Sequence, residues 1–161
     1  MARIARVSLS PKFQQMDETS YRLFNEFNDC GVKAVALVCN VSYGEAHAKL
    51  RELGRQSRKG TPWSMIRQAI NFFGYEIKVW DFTDHRALIN SYPGRAVYLQ
   101  QITTHHPRRY PKVWAEKMKG KRLLLGVHKH VAAYVDGELH DWTVNSVKRV
   151  WLVWEITKKG I

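Results

Sequence analysis

His130-Val131-Ala132-Ala133-Tyr134-Val135-Asp136-Gly137-Glu138-Leu139-His140-Asp141 reads as two short strands around a turn. Asp-Gly between runs of strand-forming residues is the two-residue signal of a type I′ hairpin. The turn fixes the register, setting Val135 opposite Glu138, Tyr134 opposite Leu139, Ala133 opposite His140 and Ala132 opposite Asp141. Side chains alternate along a strand, so His130, Ala132 and Asp141 share one face and His140 takes the other. His130 and Asp141 become diagonal neighbours, about 7–8 Å apart at the backbone, near enough for a side-chain hydrogen bond.

Outward from the hairpin, strand-like runs cover 75–82, 95–101, 123–127, 130–135, 138–143 and 148–156. A short helix is expected over 84–90. The last run, with Val150, Trp151, Leu152, Val153 and Trp154, is apolar on both faces, which places it inside the sheet. The first half has a helical period instead. Val32, Val35, Ala36, Val38 and Cys39 recur at helical spacing over 30–41, with Asp29 as N-cap. Ser42 and Glu45 have capping-box spacing, Ala46, Leu50 and Leu53 form a stripe, and Gly54 stops that helix. Thr61-Pro62 reads as N-cap and first-turn proline of a third helix, with a stripe through Met65, Ile66, Ala69, Ile70 and Phe73. The expected fold is α+β, N-terminal helices with the Cys30 helix first, packed on a C-terminal antiparallel sheet. With no repeat or linker, residues 1–161 are expected to form one domain carrying a basic insertion at about 103–121.

Composition sets the class. Apolar residues are 45%, charged residues 25% and aromatics 12% of 161, which excludes a disordered or fibrous chain. No run approaches the roughly 18 apolar residues of a membrane span, and 1–13 lacks the apolar block of a secretory signal. With only two cysteines, Cys30 and Cys39, and no membrane partner, a cytoplasmic location is expected. The charge is unusual: 26 Lys and Arg against 14 Asp and Glu give +12. Arg108, Arg109, Lys112, Lys117, Lys119, Lys121 and Arg122 cluster with Glu116 as the sole acid. Lys49, Arg51, Arg55, Arg58 and Lys59 form a second group. Such groups either form a solvated face or attract a polyanion such as nucleic acid. For nucleic acid, Tyr110 and Trp114 would stack beside Arg108, Arg109, Lys112 and Lys117.

Cys30 stands where a helix begins, and free backbone N–H groups there favour a thiolate. Gly31 beside it leaves room for a substrate backbone. The other reading is a small apolar residue packed at the helix start. A cysteine at a helix N-terminus, facing a histidine oriented by an acid from a neighbouring strand, is what nucleophilic cysteine hydrolysis needs. His128 and His130 with Asp141 also offer ligand types for zinc, a weaker reading that leaves Cys30 unused. No metal or other cofactor is expected.

Asn28-Asp29-Cys30-Gly31 leading into an apolar helix, with the later His130 hairpin and Asp141, resembles the two halves of papain-like cysteine peptidases. The bacteriocin-processing peptidase domains of ABC exporters are similar in reading Asp-Cys-Gly into a helix. The stretch over 28–60 also resembles small bacteriophage proteins with an Asn-Asp-Cys start. The resemblance covers about 25–73 and 123–156. It implies Cys30 as nucleophile, His130 as general base and acid, Asp141 as the orienting residue, and Trp142 as a shield over their hydrogen bond. It also implies a peptide or protein substrate, cleaved at a peptide, isopeptide or amide bond through a thioester. Where that family carries an oxyanion-holding Gln, six residues before the nucleophile, this chain has Phe24. Asn25 and Asn28 are the nearby amides, beside the Cys30 N–H. Without that donor, the alternative is an inactive papain-like basic module that binds nucleic acid or a host protein.

Overall fold

The computed structural model describes residues 10–80, 116–141 and 150–160. Four helices come first: α1 (Pro11–Phe24), α2 (Cys30–Val38), α3 (Tyr43–Glu52) and α4 (Trp63–Phe72). Five strands follow: β1 (Tyr75–Val79), β2 (Leu123–Val127), β3 (His130–Val135), β4 (Glu138–His140) and β5 (Leu152–Lys158). They form one antiparallel sheet in the order β1-β5-β2-β3-β4. The architecture is α+β, with N-terminal helices packed on a C-terminal sheet.

The hairpin has the expected register, with Ala133, Tyr134 and Val135 opposite His140, Leu139 and Glu138. Asp136 (φ 56°) and Gly137 (φ 76°) both lie at positive φ, as a type I′ turn requires. β5 is an interior strand between β1 and β2, as its two apolar faces imply. The strand and helix expected over 95–101 and 84–90 lie outside the described residues.

The sheet is buried on both faces. Leu124, Val131, Ala133, Val135 and Ile156 meet the helices through Val32, Val35, Ala36 and Leu50. The alternate residues, Leu123, Leu125, Ala132, Tyr134 and Val153, pack on the other face with Trp80, Met118 and Val150. β3 carries α2 directly, which brings the first residue of that helix to the end of the sheet where β3 begins.

Two sequence-based expectations are corrected and a third is refined. The helix bearing Cys30 is the second, because Pro11–Phe24 is a helix that the sequence reading left unassigned. Ser10 caps α1, its hydroxyl accepting the Phe13 N–H at 3.1 Å, with Pro11 in the first turn. Asp29 holds the N-cap position of α2 as expected, but its side chain makes no cap bond; it accepts from Lys33 Nζ at 3.0 Å and from the Tyr43 hydroxyl at 2.7 Å. This stabilises a fully buried lysine, which also pairs with Asp17 at 2.9 Å. Thr61 does not cap α4 either: Pro62 is the N-cap, with no side-chain cap bond.

Part of the basic sequence is spent on the fold. Arg122 donates to the carbonyls of Leu37 and Val38 at the C-terminus of α2. Lys121 pairs with Glu155, and Lys117 and Lys121 lie over the Trp80 ring. Arg55 is buried against Glu26, and Lys49 lies 3.7 Å from the Phe72 ring centroid. Arg108, Arg109, Tyr110, Lys112 and Trp114 lie outside the described residues.

Candidate active site

The site forms where the first turn of α2 meets the start of β3. His130 is the first residue of β3, reached from Val127 through the tight turn at His128 and Lys129. Its Nε2 lies 2.9 and 2.8 Å from the two carboxylate oxygens of Asp141, which follows β4. That contact is shielded, with side-chain exposures of 12% for His130 and 2% for Asp141. With Nε2 committed to the carboxylate, Nδ1 is the ring nitrogen left to serve Cys30, whose thiol lies beside the His130 ring and interacts with it. The Val131 N–H also favours the charged form of the sulfur.

Electrostatics follow from these contacts. Burial pushes the Cys30 thiol up, but the His130 hydrogen bond and charge, with the Val131 N–H, outweigh it and leave the thiol below its ordinary value. Burial pulls His130 down, and the hydrogen bonds to Asp141 and Cys30 outweigh that, raising it to about 9. Both shifts favour a thiolate–imidazolium pair at neutral pH. Cys39 is the contrast: burial pushes it up to about 12, and Arg122 offsets little of that.

A cavity of about 380 Å³ opens beside Cys30. One wall is the 60–62 loop with Trp63 and Ile66 of α4, and the other is Val127, Lys129 and Val131 around the β2–β3 turn. Two glycines shape it. A Cβ on Gly126 would lie 2.9 Å from the Trp63 ring, so the bare backbone there admits the indole, which stacks edge-on against Trp154 at 4.9 Å. A Cβ on Gly31 would lie 2.7 Å from Thr61 Cβ and 2.8 Å from its Oγ1. The room at Gly31 is therefore taken by Thr61 of the protein itself, which corrects the expectation that a substrate backbone lies there. The Thr61 hydroxyl is buried without a hydrogen-bond partner among the described residues.

The amides expected to hold an oxyanion are placed differently from Cys30, His130 and Asp141. Asn25 is the exposed C-cap of α1 at φ 49°, and Asn28, also exposed, donates its Nδ2 to the Arg58 carbonyl at 3.3 Å. Phe24 packs on Tyr43 and His47, both with ring centroids 4.9 Å away. Its apolar side chain belongs to the α1–α3 contact.

The sequence reading missed Glu26. Its carboxylate accepts from Arg55 at 2.8 Å, from His47 Nε2 at 2.6 Å and from the Arg58 backbone N–H at 2.6 Å. It therefore ties the loop before Cys30 to the loop that runs into Gly60 and Thr61. Burial pushes the Glu26 carboxyl up, but Arg55, Arg58 and His47 together hold it below the ordinary range. Its only sequence signal is an acid close before the cysteine.

His128 is exposed in the turn, and no cluster of three metal-ligating side chains occurs among the described residues. Trp142 lies outside them. No helix among them is long and apolar enough to cross a membrane. Comparison with protein-family models, curated proteins and solved structures finds no match to this chain.

Proposed function

We propose that this protein is a cysteine-dependent hydrolase with a papain-like arrangement, acting on a peptide, isopeptide or amide bond. The observation that carries the reading is the arrangement of Cys30 beside the His130 ring, with that ring hydrogen-bonded to Asp141, at an apolar cavity. In the first half-reaction the Cys30 thiolate attacks the carbonyl carbon. The His130 imidazolium gives its proton to the departing amine nitrogen as the C–N bond breaks and a thioester remains. In the second half, water attacks the thioester, His130 takes its proton, and the acid leaves as the C–S bond breaks. Asp141 keeps the ring oriented and supports its charge. The Cys30 N–H, in the first turn of α2 where no helical carbonyl reaches, faces the developing oxyanion.

The test is a peptide library made from a denatured proteome, incubated with the parent or with Cys30→Ser and read by mass spectrometry for new termini. Termini produced by the parent and absent with Cys30→Ser are expected. Identical peptide sets would count against the hydrolase.

One observation favours the second reading, an inactive basic module of the same fold. Phe24 is used in packing, and the Asn28 amide donates to the Arg58 carbonyl, so neither position supplies the oxyanion amide that the resemblance implies. Loss of one such donor costs about 10²–10³ in rate. A salt-dependent affinity for nucleic acid that is unchanged in Cys30→Ser would select that reading.

A further inference from the structure

We infer that the cleft beside Cys30 takes an acidic polypeptide segment, with an apolar side chain against Trp63 and Ile66 and neighbouring carboxylates at Lys129, Arg58 and Lys59. This rests on the hydrolase reading and names the substrate class of that site. The cavity walls are apolar where they are deepest, at Trp63, Ile66, Val127 and Val131. Cations stand at and next to the residues of both walls. Lys129 lines the cavity from the β2–β3 turn and is exposed. Arg58 and Lys59, both exposed, immediately precede Gly60 of the opposite wall.

The acids of the surrounding elements are committed elsewhere. Asp141 serves His130, Glu26 holds Arg55, His47 and the Arg58 N–H, and Asp29 holds Lys33 and Tyr43. Lys129, Arg58 and Lys59 make no ion pair with any of the described residues. The mouth is thus a positive rim, uncompensated among the described residues, around an apolar pocket, and it attracts negative charge without binding it rigidly. Exposed cations of this kind raise association rate and selectivity, while apolar burial holds the ligand. A peptide fits better than a nucleic acid. The aromatic in the wall, Trp63, is packed edge-on against Trp154, and its half-buried ring is not an open stacking platform.

Two acyloxymethyl ketone tripeptides, Asp-Asp-Leu and Lys-Lys-Leu, test this on the full chain. The Cys30 thiolate attacks the methylene carbon, and the S–C bond forms as the C–O bond breaks and the acyloxy group leaves as a carboxylate. Each rate is divided by that of iodoacetamide at Cys30, which removes changes in the thiol itself. The acidic probe is expected to react about tenfold faster than the basic one at low salt, a preference that shrinks toward unity at about 0.5 M salt. The double variant Lys59→Glu, Lys129→Glu is expected to reverse it. Equal rates for the two probes, or a preference unchanged in that variant, would overturn the inference. Suppression of both probes to the same degree by a single-stranded thymidine oligonucleotide, without any preference between them, would assign the rim to nucleic acid and overturn it too. Iodoacetamide labelling of Cys30 no faster than Cys39 at pH 6 would instead overturn the hydrolase reading beneath it.

Discussion

The His130 ring stands between two partners, with Nε2 within 2.9 Å of both Asp141 carboxylate oxygens and the Cys30 thiol beside the same ring. The acid, the base and the nucleophile come from the residue after β4, from β3 and from α2, so folding assembles them.

The pH dependence of hydrolysis follows from these partners. The reactive form needs the thiolate and the imidazolium together, so activity rises with pH as Cys30 ionises, below the ordinary thiol range, and falls as His130 deprotonates near 9. Asp141→Asn removes the carboxylate that helps raise His130, so the alkaline limb is expected to move to lower pH. The activity maximum is expected to drop by at least about tenfold. A pH–rate profile of both proteins, on any peptide found in the library screen, checks this. An alkaline limb that stays in place would mean that Asp141 does not set the charge on His130.

Glu26 predicts the acid stability of the fold. Its folded-state pKa lies below the unfolded value near 4.5, so it contributes stability that is fully present above that value and is lost as pH falls through the folded one. At pH 7, Glu26→Gln leaves Arg55 buried without its counter-charge and is expected to cost about 3 kcal/mol. The variant should also lose less stability than the parent between pH 5 and pH 3. Urea unfolding at a series of pH values measures both effects, and parallel curves for the two proteins would rule Glu26 out as the titrating anchor.

Gly31 and Thr61 make a pair with opposite expectations. Gly31→Ala forces its new methyl against Thr61 Cβ and is expected to destabilise by about 1–3 kcal/mol, through displacement of the 60–62 loop. Thr61→Val keeps the shape and removes a buried hydroxyl with no partner among the described residues, so it is expected to be neutral or stabilising by about 1 kcal/mol. Thermal unfolding of the two variants decides; destabilisation by Thr61→Val would mean that its hydroxyl is bonded in solution.

At Gly126, substitution by Ala places a methyl 2.9 Å from the Trp63 indole and displaces a wall of the cavity. Trp63 fluorescence is expected to shift, and peptidyl probes are expected to slow by several-fold relative to iodoacetamide. Unchanged probe rates would separate Trp63 from substrate binding.

How much of this the sequence revealed depends on how local each signal is. The hairpin register and its Asp136-Gly137 turn were legible because turn chemistry is carried by adjacent residues. The closeness of His130 to Asp141 followed from that register. Ser42 caps α3 as its spacing implies, accepting the Glu45 N–H at 3.0 Å. α1 was missed because its buried stripe is thin, Phe13 and Ser20 with Met16 and Phe24 half-buried, although Ser10-Pro11 carries the start signal. Asp29 and Thr61 look like caps locally, but tertiary partners take them: Lys33 and Tyr43 in one case, the close approach to Gly31 in the other. Glu26 was invisible because its partners lie 21 to 32 residues away on α3 and the following loop. Nothing local separates a buried anchor from a solvated acid.

The rate of Cys30 alkylation by iodoacetamide as a function of pH, read by mass spectrometry with Cys39 as internal control in the parent and in His130→Ala, tests the activated cysteine most directly. The structure predicts rapid labelling of Cys30 below the ordinary thiol range, lost in His130→Ala, with Cys39 unreactive throughout. Slow labelling of Cys30 that follows an ordinary thiol titration in both proteins would contradict the account.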